Sequence, residues 1–455
     1  MTQKPTVIII GAGPAGLMAA DRAACMGCAV LLLERNEKPG KKLYLTGKGR
    51  CNVTNDCHAD EFLTQVPRNP RFLQSAIRQF APRDLMTLLE ETGVPLVVER
   101  GRRVFPKSQK ASDITGALVR LCKRHEVDFR YHSRVAAILM QQEHLTHQEH
   151  VADGQQDNGK TPKAGPKTLT PQNRVSGVRL EDGQVLEADA VILATGGMSY
   201  PGTGSTGDGY ALAEALGHTI VPPRPSLVPL LTRETWPGTL AGLALKNVML
   251  RAVVSNKTVY ESLGEMLFTH WGVSGPLVLE ASAHLPDVPS SAMLFIDMKP
   301  GLTTDMLDAR LVREFQANAR RQIGHALATL MPRSMIEVVG SCAELPADLF
   351  CHQVTRKQRD RLAHVLQNLP LTVDGYGAMA EAIITRGGVA VSEVAPSTMA
   401  SKLVPGLYFA GEVLDVDAHT GGYNLQIAFA TGVLAGTKCA TACLQREPKV
   451  DGCVK

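Results

Sequence analysis

A glycine-rich turn near the start of the chain has the residue types and spacing that a dinucleotide needs. The hexapeptide Gly11-Ala12-Gly13-Pro14-Ala15-Gly16 has glycine at its first, third and sixth positions. The first glycine allows a tight turn, the second lets the backbone approach a pyrophosphate, and the third lets the next helix pack closely on a strand. The N-terminus of that helix attracts phosphates. Glu34, eighteen residues after Gly16, can accept hydrogen bonds from both ribose hydroxyls. Together these residues predict a dinucleotide site.

Two further segments, far along the chain, favour FAD over NAD. Thr195-Gly196-Gly197 and Gly411-Glu412 each follow an apolar run, so each falls at the carboxyl end of a predicted strand. Glu412 is placed to hold a ribitol hydroxyl. The helix that begins after Gly421-Gly422 can direct its N-terminal N–H groups at the pyrimidine edge of a flavin, where the reduced ring is negative. NAD has no part that needs this second half-site, so we predict FAD.

A second formal G-x-G-x-x-G occurs at Gly202-Thr203-Gly204-Ser205-Thr206-Gly207. An independent dinucleotide domain would need a ribose-binding residue about twenty residues later, at the end of a strand. Pro222, Pro223 and Pro225 occupy that region. We therefore interpret the segment as a flavin-proximal loop that leads into another domain, with a separate NAD(P) site as the alternative.

The elements around these residues predict a doubly wound α/β fold. Apolar runs at Thr6 to Ile10, Ala29 to Leu33 and Ala190 to Ala194 suit strands buried on both faces of a parallel sheet. The stretch from Leu17 to Met26 suits the crossover helix between the first two strands. Strand-like runs return late in the chain and precede a last helix, Leu425 to Leu444.

This layout predicts a discontinuous nucleotide-binding domain that flanks an insert. We place its first part at residues 1–197, the insert at 198–370 with a helical block at about 300–368, and its second part at 371–455. Asp153 to Asn173 is dense in Gly, Gln, Asn, Pro, Lys and Thr, which predicts a long loop.

The composition is that of a globular protein, with 44% hydrophobic and 20% charged residues among 455. No apolar run reaches the roughly 18 residues of a membrane span, and no export signal is evident, so we predict a cytoplasmic protein without a membrane association. The ten cysteines form no metal-type pattern. Free thiols and no bound metal are therefore expected.

Positive charge is concentrated in one part of the chain. Between Pro67 and His125 there are twelve Lys and Arg residues against five Asp and Glu residues, a net charge of +7, whereas the whole chain carries +4. Such an excess indicates either a surface for nucleic acid or a solvated helical face. A second group of cations lies in the insert: Arg320, Arg321, Arg356, Lys357, Arg359 and Arg361.

The run Leu45-Thr46-Gly47-Lys48-Gly49-Arg50-Cys51-Asn52-Val53-Thr54-Asn55, the segment Gly406 to Gln426 and the stretch Thr269 to Pro276 closely resemble the HI0933-like (YhiN/BaiN-type) family of NAD(P)/FAD-dependent oxidoreductases. The resemblance implies an FAD domain interrupted by a β-barrel-like insert that carries a helical subdomain. It also implies that Gly47, Arg50, Cys51 and Asn52 line the flavin. Members of the family are associated with reduction of carbon–carbon double bonds conjugated to a carbonyl.

The predicted cofactor contacts come from the glycine turns, from the strand ends beside them and from this resemblance. They are Gly11, Gly13, Pro14, Ala15, Gly16, Glu34, Arg35, Lys42, Gly47, Arg50, Cys51, Asn52, Val135, Thr195, Gly196, Gly197, Gly411, Glu412, Gly422, Tyr423, Asn424 and Leu425.

Reduction of such a double bond needs hydride at the β-carbon and a proton from a general acid at the α-carbon. Cys51 is a candidate donor because its loop is expected to pass the flavin. Tyr200 and His419 are candidates because they flank the predicted flavin-contacting glycines. Cys51 can instead be a buried structural thiol, and His270 in the insert can be either a packing residue or a fourth candidate.

The resemblance implies two substrate classes, between which the flavin motifs do not distinguish. One is a uridine of large-subunit ribosomal RNA, reduced to dihydrouridine, and the other is a steroid enone of the bile-acid type. The charge of the Pro67 to His125 stretch favours RNA as the substrate. Because the base must leave its stack to reach the flavin, we expect this RNA to be modified before the subunit is completely assembled. We expect NAD(P)H to be a transient reductant without its own Rossmann domain. A non-enzymatic flavin sensor is a further alternative.

Overall fold

The computed structural model describes residues 4–142 and 173–446. The loop predicted from Asp153 to Asn173 lies outside the described residues, except for Asn173 itself.

Nineteen strands and thirteen α-helices are described, together with short 3-10 turns. The strands are β1 (Thr6–Ile10), β2 (Ala29–Leu33), β3 (Thr54–Asn55), β4 (Leu96–Glu99), β5 (Arg103–Pro106), β6 (Asp128–Arg130), β7 (Val135–Gln142), β8 (Asn173–Leu180), β9 (Val185–Glu187), β10 (Ala190–Leu193), β11 (Ile220–Ser226), β12 (Leu230–Thr232), β13 (Ala244–Val254), β14 (Lys257–Thr269), β15 (Gly272–Ser274), β16 (Ala292–Asp297), β17 (Leu369–Tyr376), β18 (Ile384–Val389) and β19 (Leu407–Phe409). The helices are α1 (Pro14–Cys25), α2 (Ala59–Leu63), α3 (Gln74–Gln79), α4 (Pro82–Glu91), α5 (Ala111–Arg124), α6 (Asp208–Glu214), α7 (Trp236–Thr239), α8 (Pro276–His284), α9 (Thr304–Ala317), α10 (Ile323–Leu327), α11 (Ile336–Cys342), α12 (Arg356–Gln367) and α13 (Tyr423–Leu444).

A five-stranded parallel sheet, in the order β19-β10-β1-β2-β6, forms the centre of the nucleotide-binding domain. The chain winds outward from β1 in both directions, which confirms the predicted doubly wound fold. The apolar strands β1 and β10 are buried along nearly their whole length because helices or further strands cover both faces. The strand order reverses between β1 and β10, and ligands of such sheets bind at the carboxyl ends of the strands at that point.

Close packing of α13 against α1 holds the two parts of this domain together. A Cβ atom on Gly432 would lie 2.3 Å from the carbonyl oxygen of Ala15, and one on Gly436 would lie 2.4 Å from that of Ala19. Glycine at these positions therefore lets the two helix backbones approach each other. Within the described residues α13 is the one helix long and apolar enough to cross a membrane, but most of it is buried in this core.

The insert is a closed barrel of six strands in the order β12-β15-β14-β13-β16-β17. Helices α9 to α12 pack on it and share one hydrophobic core with it, separate from the core of the nucleotide-binding domain. The predicted barrel-like insert with a helical subdomain is thus confirmed. The last barrel strand continues to Tyr376, whereas the boundary predicted for the insert was residue 370. Strands β11 and β18 pair antiparallel where the chain enters and leaves the barrel.

Replacing Gly432 by Ala is expected to lower the free energy of unfolding by about 1–3 kcal/mol, because the added methyl group overpacks the α1–α13 contact. Chemical denaturation of the purified protein measures this change. The matched control is Gly340→Ala in α11, where a Cβ meets nothing within 4 Å and the better helix propensity of Ala stabilises by up to about 1 kcal/mol. Equal effects of the two substitutions would contradict the proposed role of the contact.

Candidate cofactor and substrate site

A cavity of about 590 Å³ opens at the carboxyl ends of β1, β2, β10 and β19. It begins at the glycine turn after β1, passes Glu34 and the Thr195–Gly196 turn, and reaches Gly411–Glu412 and the start of α13. The insert supplies part of its wall through Pro276 and Leu279 of α8. The cavity therefore lies at the switch point of the sheet, where a nucleotide cofactor is expected, and extends to the interface with the barrel.

The glycines of the first turn have different surroundings. A Cβ on Gly11 would lie 2.6 Å from the carbonyl oxygen of Ala194, and one on Gly16 would lie 1.8 Å from that of Gly11. Both positions are thus closed by packing between the turn, α1 and β10. A Cβ on Gly13 would meet nothing within 4 Å, and Gly13 lines the cavity. Gly13 therefore leaves room for a ligand to approach the N-terminus of α1.

Glu34 is buried at the end of β2 and faces this turn. Its carboxylate accepts hydrogen bonds from the N–H of Ala12 at 2.9 Å and from the backbone and side-chain amides of Asn36 at 2.9 and 2.7 Å. These donors fix the carboxylate at the cavity wall, at the position of the ribose-binding acid of a dinucleotide fold.

The second glycine-rich segment packs at this ribose end of the cavity, so the expectation of a flavin-proximal loop was wrong. Asn36 Nδ2 donates to the carbonyl oxygen of Thr203 at 3.0 Å, and Arg35 contacts Thr206 and Asp208 at 2.6 and 2.9 Å. These contacts place the segment beside Glu34, because Arg35 and Asn36 directly follow Glu34 in the sequence. The next strand, β11, pairs antiparallel with β18, so no second parallel βαβ unit follows.

At the other end, Glu412 lies in a network of four residues. Its carboxylate accepts from Lys42 Nζ at 2.5 Å, from Ser199 Oγ at 3.1 Å and from the N–H of Thr385 at 2.8 Å. Lys42 Nζ also donates to Ser199 Oγ at 2.6 Å. Lys42 and Glu412, both predicted cofactor contacts, are thus joined at the cavity wall with their charges paired.

The start of α13 faces the same cavity. No side chain caps the helix, so its first N–H groups are available to a ligand. Asn424 instead holds the preceding loop, accepting from the N–H of Ala418 at 2.8 Å and donating to its carbonyl oxygen at 2.7 Å. Gly422, Asn424 and Leu425 line the cavity, whereas Tyr423 turns away and packs on Phe62 at a ring distance of 5.3 Å.

Two polar atoms of the cavity residues test whether FAD fits. Thr195 Oγ1 and Asn52 Oδ1 are buried and have no hydrogen-bond partner among the described residues, although both residues line the cavity. A buried polar atom without a partner costs about 1–3 kcal/mol, which a ligand with polar groups removes. The open glycine turn, the ribose-end carboxylate and two helix N-termini add the features that FAD requires. The site fits FAD.

The structure brings most of the predicted cofactor contacts to the cavity and leaves five outside its lining. Gly16 and Gly197 are packed against other backbone or side-chain atoms, and the Arg50 guanidinium lies over the ring of Phe105 and pairs with Glu99. Tyr423 and Cys51 complete this group.

The three predicted proton donors are in different environments. Tyr200 and His419 line the cavity. Cys51 is fully buried outside its lining, and this burial raises the pKa of its thiol to about 12. Its left-handed backbone, with φ of 61°, turns the chain between Gly47 and Asn52, which do line the cavity. The geometry therefore favours a structural thiol at Cys51. His270 is exposed at the turn after β14 and also lies outside the lining.

Sequence reasoning missed several lining residues. Asn36 and Phe105 carry no recognisable motif, and Arg103 was noticed only as part of a charged stretch. Leu227, Pro276, Leu279, Ile383 and Ile384 form an apolar wall from the insert and the segments that join it. Of these five, only Pro276 lies in a segment that carried a signal in the sequence, the Thr269 to Pro276 stretch of the family resemblance.

The insert is attached to the loop before α13 by polar contacts. Thr420 Oγ1 donates to one carboxylate oxygen of Glu280 at 2.7 Å, and the hydroxyl of Tyr260 donates to the other at 3.1 Å. The Nε2 atoms of His419 and His284 lie 2.9 Å apart. Since Glu280 and His284 belong to α8, one face of this helix is hydrogen-bonded to the loop that lines the cavity.

Replacing Gly13 by Val is expected to abolish FAD binding while leaving the fold intact. The backbone of Gly13 is extended, with φ of −76°, and its surroundings are open, so the apoprotein tolerates a side chain. That side chain fills the space in which a pyrophosphate approaches. We expect the flavin absorbance per chain to fall at least about tenfold, equivalent to about 1.4 kcal/mol, with an unchanged melting temperature of the apoprotein. Gly301→Val, at an open position in the insert, is the control, and retained flavin in the Gly13 variant would contradict the assignment.

Comparison with known proteins places the chain. It is 30% identical to the ribosomal RNA dihydrouridine synthase of Escherichia coli (strain K12), over 93% of this chain and 95% of that one. It is 29% identical to a 3-dehydro-bile acid delta(4,6)-reductase of Clostridium scindens, over 95% and 98%. A solved structure, the 3-ketosteroid delta1-dehydrogenase from Sterolibacterium denitrificans, is 15% identical and aligns over 96% of this chain and all of that one with a TM-score of 0.48.

The profile of the HI0933-like protein Rossmann domain matches residues 5–161 and 165–438. This match covers nearly the whole chain, including the barrel insert and most of the last helix. The chain belongs to the HI0933-like family.

Proposed function

We propose that this protein is an FAD-dependent reductase of carbon–carbon double bonds conjugated to a carbonyl, and that its substrate is a uridine of large-subunit ribosomal RNA. Reduction of the uracil ring at this bond gives dihydrouridine. Two relatives of similar identity support the reaction class, since their names denote a dihydrouridine synthase and a bile-acid reductase. They do not decide between the two substrates, so the choice depends on the residues around the cavity.

Bound FAD supplies a hydride acceptor and donor. The chain itself provides the environment: the uncapped start of α13 faces the cavity and favours negative charge beside it. Because the described residues contain one parallel βαβ unit with a complete dinucleotide fingerprint, NADH or NADPH is proposed to deliver hydride transiently at the open side of the cavity and then to leave.

The proposed site for a flat substrate ring lies between the two domains. Leu227, Pro276 and Leu279 from the insert side, with Ile383 and Ile384, form an apolar wall of the cavity. Hydrogen bonds join this wall to Glu412 and Thr420: the N–H of Thr385, which follows Ile384, donates to Glu412, and Glu280, which follows Leu279, accepts from Thr420. A uracil ring or a steroid ring bound against this wall would have its reacting carbons protected from water.

A basic rim at the cavity carries the choice of RNA. Arg103 lines the cavity, and Arg100, Arg102 and Arg103 are exposed. Asn55 Nδ2 donates to the carbonyl oxygen of Gly101 at 2.9 Å and to that of Gly421 at 3.3 Å. This bond places the arginine-containing loop beside the start of α13. Phosphates bound by the loop would therefore lie next to the flavin end of the cavity.

Only part of the positive stretch is free to bind phosphate. Arg68, Arg78, Arg83 and Arg102 form ion pairs with Asp417, Asp60, Asp56 and Glu61. In contrast, Arg100, Arg103, Lys107 and Lys110 are exposed and make no ion pair with any described residue. The second group of cations, in the insert, is a weaker candidate for phosphate binding, because Arg359 and Arg361 are paired with Asp308 and Glu344.

The cavity accepts a base only after that base has left its stack. Extrusion of a base costs a few kcal/mol and least where the base is unpaired. We therefore propose that the RNA is modified before the large subunit is complete, when the target loop is still accessible.

A small-molecule enone reductase is the second candidate function. The apolar wall formed by Leu227, Pro276, Leu279, Ile383 and Ile384 favours it, since such side chains suit a steroid ring at least as well as a uracil. A free steroid would give no function to the unpaired cations at the rim, and for this reason we rank it second. A flavin sensor without turnover leaves both the wall and the rim unexplained.

Deleting the gene is expected to remove a dihydrouridine from large-subunit ribosomal RNA. Mass mapping of the RNA from cells with and without the gene measures this change, and re-expression of the wild-type protein restores the modification. Re-expression of the Gly13→Val variant, which is expected to lack flavin, does not restore it. An unchanged dihydrouridine pattern would overturn the RNA proposal and leave the enone reductase as the leading function.

Removing an unpaired cation at the rim is expected to weaken RNA binding in a salt-dependent way. Each lost phosphate contact lowers the slope of log affinity against log salt by about 0.7 to 0.9. We expect this reduction for Arg100→Gln and for Arg103→Gln with an unmodified ribosomal RNA fragment. Arg313→Gln, an exposed arginine of α9 outside the rim, is the control. Equal slopes for all three variants and the wild type would contradict the proposed RNA surface.

A further inference from the structure

The segment between β10 and α6 lies along one end of the cavity. It runs from Tyr200 to Asp208, the first residue of α6, and we call it the strap. Five of its nine residues line the cavity, namely Tyr200, Thr203, Gly204, Ser205 and Asp208. The strap contains the second glycine-rich motif, to which the proposed function gives no role.

The side-chain amide of Asn36 links the strap to the ribose-end carboxylate. Asn36 Nδ2 donates one hydrogen to Glu34 at 2.7 Å and the other to the carbonyl oxygen of Thr203 at 3.0 Å. A Cβ on Gly204 would lie 2.6 Å from this nitrogen, and the backbone of Gly204 is left-handed, with φ of 97°. Glycine at this position therefore lets the strap approach Asn36. The strap lies beside Glu34, at the place of the ribose in a dinucleotide fold.

Two arginines from separate strand ends bind the other end of the strap. Arg35, after β2, donates to Thr206 Oγ1 at 2.6 Å and to Asp208 at 2.9 Å. Arg134, before β7, donates to both carboxylate oxygens of Asp208, at 2.7 and 3.1 Å. The hydrogen bond from Arg134 lowers the pKa of Asp208, so this carboxylate is charged at pH 7. Asp208 thus joins the strap to the ends of two strands.

The network around Asp208 is partly open to solvent. The side chains of Arg35 and Arg134 are 31% and 42% exposed. Ion pairs with this exposure contribute little to the stability of a fold, so the domain is expected to remain folded without them. Their geometry, with one arginine bound to both oxygens of a carboxylate that a second arginine shares, instead fixes the position of the strap.

The other side chains at this end suit an adenosine. Val135 and Leu212 are buried and line the cavity, and Leu212 follows Asp208 by one helical turn. They offer apolar contacts to an adenine ring. Because Arg35 and Arg134 both bind Asp208, neither is free for the 2′-phosphate that distinguishes NADP from NAD. A ribose with both hydroxyls, as in FAD, therefore fits beside Glu34.

We propose that the strap forms the adenosine subsite for FAD, together with Val135 and Leu212, and that Asp208 is the positioning residue that keeps the strap over the adenosine ribose. The inference gives a function to the second glycine-rich motif. It concerns the cofactor and does not depend on which substrate is reduced.

The two ends of the cavity can be tested separately, because different residues form them. The strap lies at the adenosine end, whereas Glu412 and Lys42 are joined at the other end. ADP contains the adenosine and the pyrophosphate of FAD but no flavin. Binding of ADP therefore measures the strap end without the flavin end.

The experiment measures the Kd of the apoprotein for FAD by calorimetry and for ADP by competition with FAD. The strap variants are Asp208→Asn, which removes the charge that the two arginines share, and Gly204→Ala, which brings a Cβ against Asn36. Glu412→Gln is the comparison at the flavin end. The melting temperature of each apoprotein reports on its fold.

Each strap variant has a matched control. Asp305→Asn changes an exposed aspartate in the first turn of α9, as Asp208 lies in the first turn of α6. Gly183→Ala, in the turn between β8 and β9, changes a glycine with φ of 89° whose added Cβ meets no atom within 4 Å. It therefore reproduces the backbone strain of Gly204→Ala without the contact to Asn36.

In Asp208→Asn, we expect the Kd values for FAD and ADP to rise by the same factor, about 2- to 30-fold, because two exposed ion pairs are weakened. In Gly204→Ala, both Kd values should rise at least about tenfold. Glu412→Gln should raise the Kd for FAD and leave that for ADP unchanged. Both controls should bind the two ligands like the wild type.

Unchanged Kd values in both strap variants would overturn the inference. Weaker binding of FAD with unchanged binding of ADP would also overturn it, because the strap would then act at the flavin end. The same holds if the controls lose as much affinity as the strap variants, or if ADP does not compete with FAD in the wild type. A wild-type apoprotein that does not bind FAD would overturn the cofactor assignment together with the subsite. The choice between RNA and steroid is decided by the separate experiments on the substrate.

Discussion

The close approach of α13 to α1 is the constraint on which the site depends. Gly432 and Gly436 lie against the backbone of α1 at Ala15 and Ala19, and any larger residue would force the helices apart. The start of α1 faces one end of the cavity and the start of α13 faces the other. Both N-termini are positively polarised. The distance between them is set by the close helix contact that the two glycines allow. A displacement of one helix would change the length of the binding site as well as the stability of the domain.

The cofactor end of the site could be predicted because its determinants are local. The glycine turn after β1 and Glu34 after β2 are separated by a single crossover, so spacing alone relates them. Glu412 and the start of α13 are distant in sequence from this glycine turn. The strand ends of one parallel sheet meet at the same edge, however, so these residues could be predicted to lie near the turn. The loop from Gly202 to Gly207 was misjudged because its position depends on contacts with Arg35 and Asn36, which no local pattern encodes.

The substrate end could not be predicted in the same way. Pro276 and Leu279 line the cavity only because of how the insert is oriented on the nucleotide-binding domain, and that orientation depends on contacts between residues far apart in sequence, such as the pairing of β11 with β18. Likewise, the charge of the Pro67 to His125 stretch overstated the free cations, because Arg68 and Arg102 find carboxylates elsewhere in the chain. Cys51 was a reasonable donor from its neighbours, yet its backbone turns the thiol into the core while Gly47 and Asn52 reach the cavity. The composition gives the number of charges and thiols, but the folded structure determines which cations remain unpaired and which thiols reach the cavity.

The division of the nucleotide-binding domain into two parts has a consequence for how the protein is made. During translation β10 leaves the ribosome roughly two hundred residues before β19, the strand that covers its free edge. The barrel, whose hydrophobic core is separate from that of the nucleotide-binding domain, is synthesised in between. Until β19 and α13 have been synthesised, the first part of the domain has one edge of its sheet and the apolar face of α1 uncovered. An interrupted chain would therefore lack Glu412 and the start of α13, which form one end of the cavity.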